Sequence, residues 1–204
     1  MKFSIIVTYY KETKEDEDLL YRCLYSLNDA IKNRNDAEVI VIHDGHLDTL
    51  SPRFCFPWMV AYCTPTRENV WGHNSRDLGM KVAKGKYIFH TNYDNFYYPD
   101  FLKVFDEKED GSKVYLYSCR MRGWGCGNTK YRSKKRDHSI WKLFDPPTIK
   151  YGNVDCMQVA VARELWEKEG FWMDKTEDSD GKYYVKFAHN NKWKKLNYCI
   201  GEHY

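Results

Sequence analysis

The sequence predicts an α/β fold in a single domain, with a mixed, mainly parallel sheet flanked by helices. Three observations lead there. Short apolar runs alternate with segments of helical periodicity through the first half of the chain, a pattern typical of parallel sheets. Polar clusters follow three of the predicted strands, where such sheets bind ligands. The length of 204 residues suits one domain with a substantial core.

The first half begins with an apolar run at residues 3–8, bounded by a polar segment, which predicts a buried strand. Leu20, Leu24, Leu27 and Ile31 recur at helical spacing and predict an amphipathic helix over 19–32. The further elements expected in this half are strands at 38–42, 58–62 and 87–90 and a helix at 75–82.

The second half is less regular. Its predicted elements are a helix at 100–107, a strand at 114–119, helices at 162–169 and 182–189, and a closing strand at 194–200. A long irregular stretch covers 121–153, and a loop of such length in a compact domain is usually functional or disordered. No internal repeat and no linker argues for two independent domains.

The amino-acid composition limits the kinds of partner that the chain is expected to bind. Lys and Arg number 32 against 29 Asp and Glu, so the net charge of +3 gives no general argument for nucleic-acid binding, and none is expected. The seven cysteines form no C-x-x-C pair, which favours reduced thiols. Without a signal peptide or a run of about 18 apolar residues, the chain is expected to be cytoplasmic.

Two strand exits carry candidate ligand groups. Asp44 in His43-Asp44-Gly45 is positioned to accept hydrogen bonds from a base or ribose, although Asp-Gly after a strand is most often a simple turn. Asn92-Tyr93-Asp94-Asn95 offers oxygen ligands to Mg²⁺ or Mn²⁺, with Asp94 as the anchor. The alternative for this tetrapeptide is a polar turn.

Arg76 lies one short helix and one strand before Asp94. A nucleoside diphosphate needs a cation near its phosphates and a metal to balance its remaining charge, and arginine can bind phosphate bidentately. Arg76 and Asp94 together therefore favour a nucleotide site, against the alternative of a solvated helix residue.

These motifs resemble, in order, those of the family 2 glycosyltransferases of the GT-A (Rossmann-like) fold. The similar segments are Thr8-Tyr9-Tyr10, His43-Asp44-Gly45, Asn74 to Gly79, Ala83 to Asn95 with Pro99, Val154 to Trp172, and Glu177-Asp178-Ser179-Asp180. The resemblance covers nearly the whole chain. It implies a nucleotide-sugar-binding half over 1–99, an acceptor-side half over 100–204, and a UDP- or GDP-sugar donor.

On the donor side, the resemblance implies that Thr8 and Asp44 contact the base and ribose, with Tyr10 in the same set, and that Arg76 approaches the diphosphate. Asn92 and Asp94 match the outer positions of the Asp-x-Asp metal motif. Asn92 is a departure, since an amide adds no charge to an Mn²⁺ or Mg²⁺ site. The late His203 matches a further metal ligand, although a terminal histidine is more often merely exposed.

On the acceptor side, Asp178 resembles the family's general base, which takes the acceptor proton during a direct displacement and so predicts inversion. Glu177 and Asp180 are rivals for that role, and an acidic loop is the structural alternative. Asp155 and Gln158 are expected to bind sugar hydroxyls and Trp124 to stack on a ring of a glycan or other hydroxyl acceptor. Capping by Asp155 and packing by Trp124 are the alternatives.

The basic run at 130–136 has five cations in seven positions. It is a candidate for peripheral membrane contact, an anionic acceptor or nucleic acid, although exposed charge runs are usually only solvated. Two function classes other than an enzyme are therefore alternatives. One is a carbohydrate- or nucleotide-binding module without turnover, favoured by Asn92, and the other is a nucleic-acid-binding protein that uses this run.

Overall fold

The computed structural model describes residues 1–45, 56–68, 70–122 and 141–203. Its strands form one sheet in the order β3-β2-β1-β4-β8-β6-β9-β5, with β7 paired to β6. The strands and helices alternate through the first half of the chain, as the sequence predicts. None of the helices in these ranges combines the length and apolar composition needed to cross a membrane.

The parallel part of the sheet comes from the first half of the chain. Its strands are β1 (Phe3–Tyr9), β2 (Ala37–His43), β3 (Met59–Cys63) and β4 (Tyr87–Asn92), and its helices are α1 (Lys14–Ile31) and α2 (His73–Val82). β1 pairs in parallel with both β2 and β4. All seven residues of β1 are buried, which explains why its sequence is continuously apolar rather than alternating.

The second half extends the sheet with mixed pairing. Its elements are β5 (Phe96–Tyr97), α3 (Phe101–Lys108), β6 (Val114–Arg122), β7 (Trp141–Phe144), β8 (Val159–Ala162), α4 (Arg163–Lys168), α5 (Ser179–Asn190) and β9 (Trp193–His203). β8 runs antiparallel to β4 and β6, whereas β9 runs parallel to β6. A 3-10 turn, Cys156–Gln158, precedes β8.

Three differences from the predicted elements have local causes. Helix α1 begins at Lys14 rather than residue 19, because Thr13 and Asp16 form a capping box. The stretch 121–153, expected to be irregular, contains β7. This strand forms by pairing with β6, and the local sequence does not specify that pairing. The run Val159–Ala162 is a strand because it inserts between β4 and β6, and the predicted helix begins after it.

One glycine in the first half permits a close backbone approach. A Cβ at Gly85 would collide with the backbone of Phe3 and Ser4 at the start of β1. The Gly85 amide instead donates to Ser4 Oγ at 2.7 Å. Gly85 therefore lets the α2–β4 connection lie directly on the sheet, which sets where β4 begins and so where Asn92 and Asp94 emerge.

Candidate functional site

The carboxyl ends of β1, β2 and β4 meet at one edge of the sheet. Thr8 lies in register with Asn92, and Tyr9 with His43. The Thr8 hydroxyl donates to Asn92 Oδ1 at 3.0 Å. The three strand exits singled out in the sequence therefore lie together at one edge of the sheet, which is called the cleft below, because neighbouring parallel strands end at the same edge.

Arg76 supports the floor of this cleft. It is 4% exposed, and its Nη2 donates to Asn92 Oδ1 at 2.8 Å. Its Nη1 donates to the Trp71 carbonyl at 2.8 Å, and the guanidinium lies 5.1 Å from the centre of the Trp172 ring. Nε has no hydrogen-bond partner among the described residues. Arg76 is thus a buried cation that fixes its surroundings rather than a free surface charge.

The side-chain oxygen of Asn92 is engaged in hydrogen bonds at this edge of the sheet. Its Oδ1 accepts from both Thr8 and Arg76, so its two lone pairs are occupied and that oxygen is poorly placed to bind a metal. A neutral amide also leaves the Arg76 charge without a directly bonded carboxylate at this position. The structure therefore gives Asn92 a positioning contact rather than a metal-facing one.

Asp94 differs from Asn92 in having an unused oxygen. Its Oδ1 is buried and has no hydrogen-bond partner among the described residues, whereas its backbone carbonyl accepts from Arg22 Nη2 at 3.1 Å. Burial raises the pKa of Asp94, and the nearby His203 opposes that rise. A buried carboxylate oxygen without a donor is a group that a cation would stabilise.

The pairing of the last strand brings His203 close enough to Asp94 to affect its pKa. β9 pairs with β5 at Phe96–Glu202, and Gly201 allows this because a Cβ there would collide with the Phe96 carbonyl. His203 Nδ1 lies 2.8 Å from Asn95 Oδ1, and Nε2 lies 3.6 Å from Asp155 Oδ2. Asn95 belongs to the tetrapeptide singled out in the sequence, but the sequence assigns it no role of its own, because its contact depends on a partner at the far end of the chain.

The donor set fits a hard divalent cation in part. Asp94, His203 and Asp155 bring two carboxylates and an imidazole to one end of the cleft, a combination suited to Mn²⁺ or Mg²⁺. Among the described residues, no group of three or more His, Cys, Asp and Glu side chains is arranged so that it could hold a metal ion. A cation at this position would therefore need further ligands from outside the chain, such as phosphate oxygens.

The opposite end of the cleft has the groups expected to meet a nucleoside. Asp44 Oδ1 accepts from the Glu68 amide at 2.9 Å and from Thr64 Oγ1 at 3.2 Å. The Tyr10 ring is 37% exposed and has the Arg67 guanidinium 4.6 Å from its centre. Arg67 was not singled out from the sequence, since nothing local distinguishes it from other surface arginines.

The three acidic residues near the start of α5, Glu177, Asp178 and Asp180, have different surroundings. Glu177 is exposed. Asp178 lies 3.0 Å from Lys182 Nζ and accepts from Thr176 Oγ1 at 3.0 Å. Asp180 accepts from the Gly181 amide at 2.7 Å, and burial together with neighbouring Asp155 raises its pKa. Asp178 immediately precedes α5 and Asp180 lies in its first turn, so the two carboxylates have different partners.

His73 joins α2 to this acidic segment. Arg76 Nη1 donates to His73 Nδ1 at 3.1 Å, and Nε2 lies 2.8 Å from the Thr176 carbonyl. The ring stacks on Trp172, whose Nε1 donates to Ser179 Oγ at 2.8 Å. Burial and the Arg76 charge lower the pKa of His73 to about 4. A neutral histidine thus links the floor of the cleft to the start of α5.

The predicted acceptor-side residues have different positions. Asp155 caps the 3-10 turn by accepting from the Met157 amide at 3.0 Å, while its other oxygen faces His203. Gln158 is fully buried, and its amide bonds to Asp155, Tyr117 and Phe144, so it has no exposed atom to offer an acceptor. Trp124 and the basic run at 130–136 lie outside the described residues.

Comparison with known structures supports the same fold. S. aureus TarS 1-349 in complex with UDP-GlcNAc matches with a TM-score of 0.69 at 16% identity, covering 100% of this chain and 58% of that one. The mannosyltransferase PcManGT from Pyrobaculum calidifontis, in complex with GDP-Man and Mn²⁺, gives 0.65 at 14% identity, covering 99% and 56%. This chain therefore spans less than two thirds of either, and the predicted GT-A fold is confirmed.

Family membership rests on a separate comparison. No curated protein matches the chain. The family model described as glycosyl transferase family 2 matches residues 4–164, which include β1 except for Phe3, the Asn92–Asn95 segment and most of the sheet. A match over most of the chain confirms the predicted resemblance: the chain belongs to glycosyl transferase family 2.

Proposed function

We propose that this protein transfers a sugar from a nucleotide-diphosphate sugar to a hydroxyl acceptor. The observation that carries the proposal is that His203, which contacts Asn95, lies within electrostatic reach of Asp94 at the edge of the sheet where β1, β2 and β4 end. A carboxylate and an imidazole at the edge that also carries Thr8 and Asp44 support a site for a cation and a nucleotide. Family membership supports the same chemistry.

We propose a UDP- or GDP-sugar as the donor. TarS structures contain UDP and UDP-GlcNAc, and the PcManGT structure contains GDP-Man. In this chain, Thr8, Asp44 and Tyr10 would hold the nucleoside, and Arg76 would act mainly through Asn92 and the Trp71 carbonyl. Its charge would still contribute a positive potential to the site proposed for the diphosphate.

A divalent cation, Mn²⁺ or Mg²⁺, is the proposed cofactor. Asp94 and His203 would hold it, with Asp155 adjacent, and Asn92 would remain a positioning residue. When bound, such a cation neutralises charge on the departing diphosphate. PcManGT was solved with Mn²⁺. Asp94 Oδ1, which has no hydrogen-bond partner within the described part of the chain, is the feature that fits a metal most directly.

The proposed mechanism is a direct displacement with inversion. A carboxylate near the start of α5 removes the proton from the acceptor hydroxyl as it attacks the anomeric carbon. Asp178 matches the family's general base, with Glu177 beside it in the motif. Asp180 is a second candidate because burial and Asp155 raise its pKa, which strengthens a carboxylate as a base.

The proposal is tested by binding and hydrolysis of a panel of UDP-, GDP- and dTDP-sugars, with Mn²⁺, with Mg²⁺ and with EDTA. Thermal shift identifies the donor, because a ligand of the native state raises the midpoint of unfolding. We expect one nucleotide class to stabilise the protein and to be hydrolysed slowly when metal is present. Binding of a nucleotide sugar without any hydrolysis or transfer would support the binding-module alternative, and no binding at all would exclude both.

A further inference from the structure

The turn 176–179 carries Glu177 and Asp178 at its two central positions. The Ser179 amide donates to the Thr176 carbonyl at 3.0 Å and so closes the turn. Asp178 has a φ of −104° and a ψ of 16°, close to the values of the third position in a type I turn. Its side chain is 42% exposed. The direction of the Asp178 carboxylate therefore depends on how the two ends of this turn are held.

His73, in the first turn of α2, contacts both ends of the turn 176–179. Its Nε2 lies 2.8 Å from the Thr176 carbonyl and 3.2 Å from Ser179 Oγ. Ser179 is fully buried, and its hydroxyl also accepts from Trp172 Nε1 at 2.8 Å. Trp172 stacks on the imidazole with ring centres 5.5 Å apart, which restricts the plane of the ring. One buried side chain thus holds the turn on both sides of its two carboxylates.

Arg76 determines which nitrogen of His73 carries the proton. A guanidinium only donates hydrogen bonds, so Arg76 Nη1, at 3.1 Å, makes His73 Nδ1 an acceptor. The Thr176 carbonyl only accepts, so it requires the same arrangement, with the proton on Nε2. Burial and the Arg76 charge lower the pKa of His73 to about 4, which keeps the ring neutral near pH 7. The Nε2–H group is therefore a donor directed at the turn.

Arg76 also connects His73 to the cleft. Its Nη2 donates to Asn92 Oδ1 at 2.8 Å, and that oxygen accepts from the Thr8 hydroxyl at 3.0 Å. Thr8, Arg76 and His73 are all buried, so water competes little for these hydrogen bonds. A continuous series of hydrogen bonds therefore joins the strand ends proposed to meet the donor to the turn that carries Asp178.

We propose that His73 is a positioning residue for the general base, because it holds the turn 176–179 in place relative to the donor site and so directs the Asp178 carboxylate. The inference rests on the proposed function and adds a residue to it. His73 acts through Thr176 and Ser179 rather than on the substrates. A displacement of about 1 Å of a reacting group can lower a rate about 100-fold. Loss of the contact should therefore lower kcat and leave donor binding nearly unchanged.

Two substitutions separate the contacts of His73. In His73→Gln the side-chain amide can take the place of Nε2 and donate to the Thr176 carbonyl, whereas in His73→Asn the shorter side chain can take the place of Nδ1 and meet only Arg76. His73→Ala removes both contacts, and His189→Asn, at an exposed position on α5, is the control. Hydrolysis of UDP-GlcNAc and of GDP-mannose with Mn²⁺, in which water is the acceptor, gives kcat and KM. Calorimetry measures the affinity for UDP and GDP.

We expect kcat to fall at least about tenfold in His73→Asn and His73→Ala, with donor KM and nucleotide affinity within about threefold of the unaltered protein. In His73→Gln kcat should stay within about threefold, because the contact with the turn is kept. A merely structural role would instead change kcat, KM and nucleotide affinity together. The inference is overturned by that result, by full kcat in His73→Asn, or by a kcat in His73→Gln as low as in His73→Ala.

Nitrogen NMR of the unaltered protein tests the same contact if a variant does not fold. With histidine labelled with nitrogen-15, we expect His73 Nδ1 to be unprotonated and Nε2 to carry the proton near neutral pH. The reverse assignment would overturn the inference. If the unaltered protein bound neither nucleotide or hydrolysed neither donor, the proposed function itself would be contradicted, and the role of His73 would fall with it.

Discussion

His203 Nδ1 lies 2.8 Å from Asn95 Oδ1, across 108 positions of the chain. The Asn95 amide is held in one orientation because its Nδ2 donates to Thr91 Oγ1 at 2.9 Å. Its oxygen therefore faces the imidazole, and a proton on His203 Nδ1 would complete this hydrogen bond and leave Nε2, which lies 3.6 Å from Asp155 Oδ2, as the nitrogen available to a metal. A histidine fixed in this tautomer is prepared to bind a metal.

The first prediction concerns this contact. Replacing Asn95 with Ala removes the acceptor that fixes the His203 tautomer, and we expect affinity for Mn²⁺ to fall about tenfold or more, as losses of such supporting contacts do elsewhere. Calorimetric titration with Mn²⁺ in the presence of UDP or GDP measures it. His203→Ala should lose at least as much, and His189→Asn, at an exposed position on α5, should lose nothing. Unchanged Mn²⁺ affinity in Asn95→Ala would show that the contact between Asn95 and His203 does not contribute to metal binding.

The second prediction distinguishes the two outer positions of the metal motif. Asp94→Asn removes the charge of the carboxylate with the unused oxygen, so Mn²⁺ affinity should fall more than about tenfold. Asn92→Asp adds a charge, but that carboxylate would pair with Arg76 and Thr8, so affinity should rise less than about threefold. The same titration measures both. A large gain in Asn92→Asp would show that position 92 faces the metal after all.

The third prediction assigns the general base. Asp178→Asn should lower kcat for transfer at least about 100-fold while the donor KM stays within threefold, since only proton removal is lost. Asp180→Asn keeps the bond from the Gly181 amide and should have the smaller effect. The control is Asp29→Asn, which breaks a similarly exposed ion pair of 3.0 Å to Lys32 on α1. If Asp180→Asn gives the larger loss of kcat, the base is Asp180.

The fourth prediction is a dependence of stability on pH. The pKa of folded His73 is about 4, below its ordinary value of 6.5. Between these values the unfolded chain binds a proton that the folded state excludes, so the free energy of unfolding falls as pH falls, by up to about 1.4 kcal/mol per pH unit. Above about pH 6.5 this effect is absent. Urea unfolding at pH 7.0, 6.0, 5.0 and 4.5 should give a shallower slope for His73→Gln, and parallel slopes would contradict the assignment.

The fifth prediction is a stabilising substitution at His90. Neither ring nitrogen of His90 has a hydrogen-bond partner among the described residues, and the ring meets Trp166 and Trp172 edge-on at 5.2 and 4.9 Å. His90→Phe preserves the aromatic contacts and removes two unpaired polar atoms, so the free energy of unfolding should rise by about 1 kcal/mol. Urea unfolding at pH 7 measures it, with His189→Phe as an exposed control. A loss of stability would mean that the larger ring does not fit.

Much of the fold followed from local sequence. The apolar run of β1 and the spacing of Leu20, Leu24 and Leu27 specify a buried strand and the helix that follows it, because periodicity and burial are linked residue by residue. Strand β8 escaped prediction for the opposite reason. Val159–Ala162 pairs with β4 and β6, which lie far away in the chain, and four apolar residues alone do not distinguish a strand from a helix start.

The sequence by itself determined the α/β class, the order of the motifs and the identity of Asp94 as the residue to test. The tertiary structure decided which atoms are available: Asn92 Oδ1 accepts hydrogen bonds from Thr8 and Arg76, whereas Asp94 Oδ1 accepts none from the residues that the structure describes. It also brought Asn95 to His203. Hydrogen-bond partners and burial depend on strands distant in the chain, so they are properties of the pairing of β4, β5 and β9 and not of any single motif.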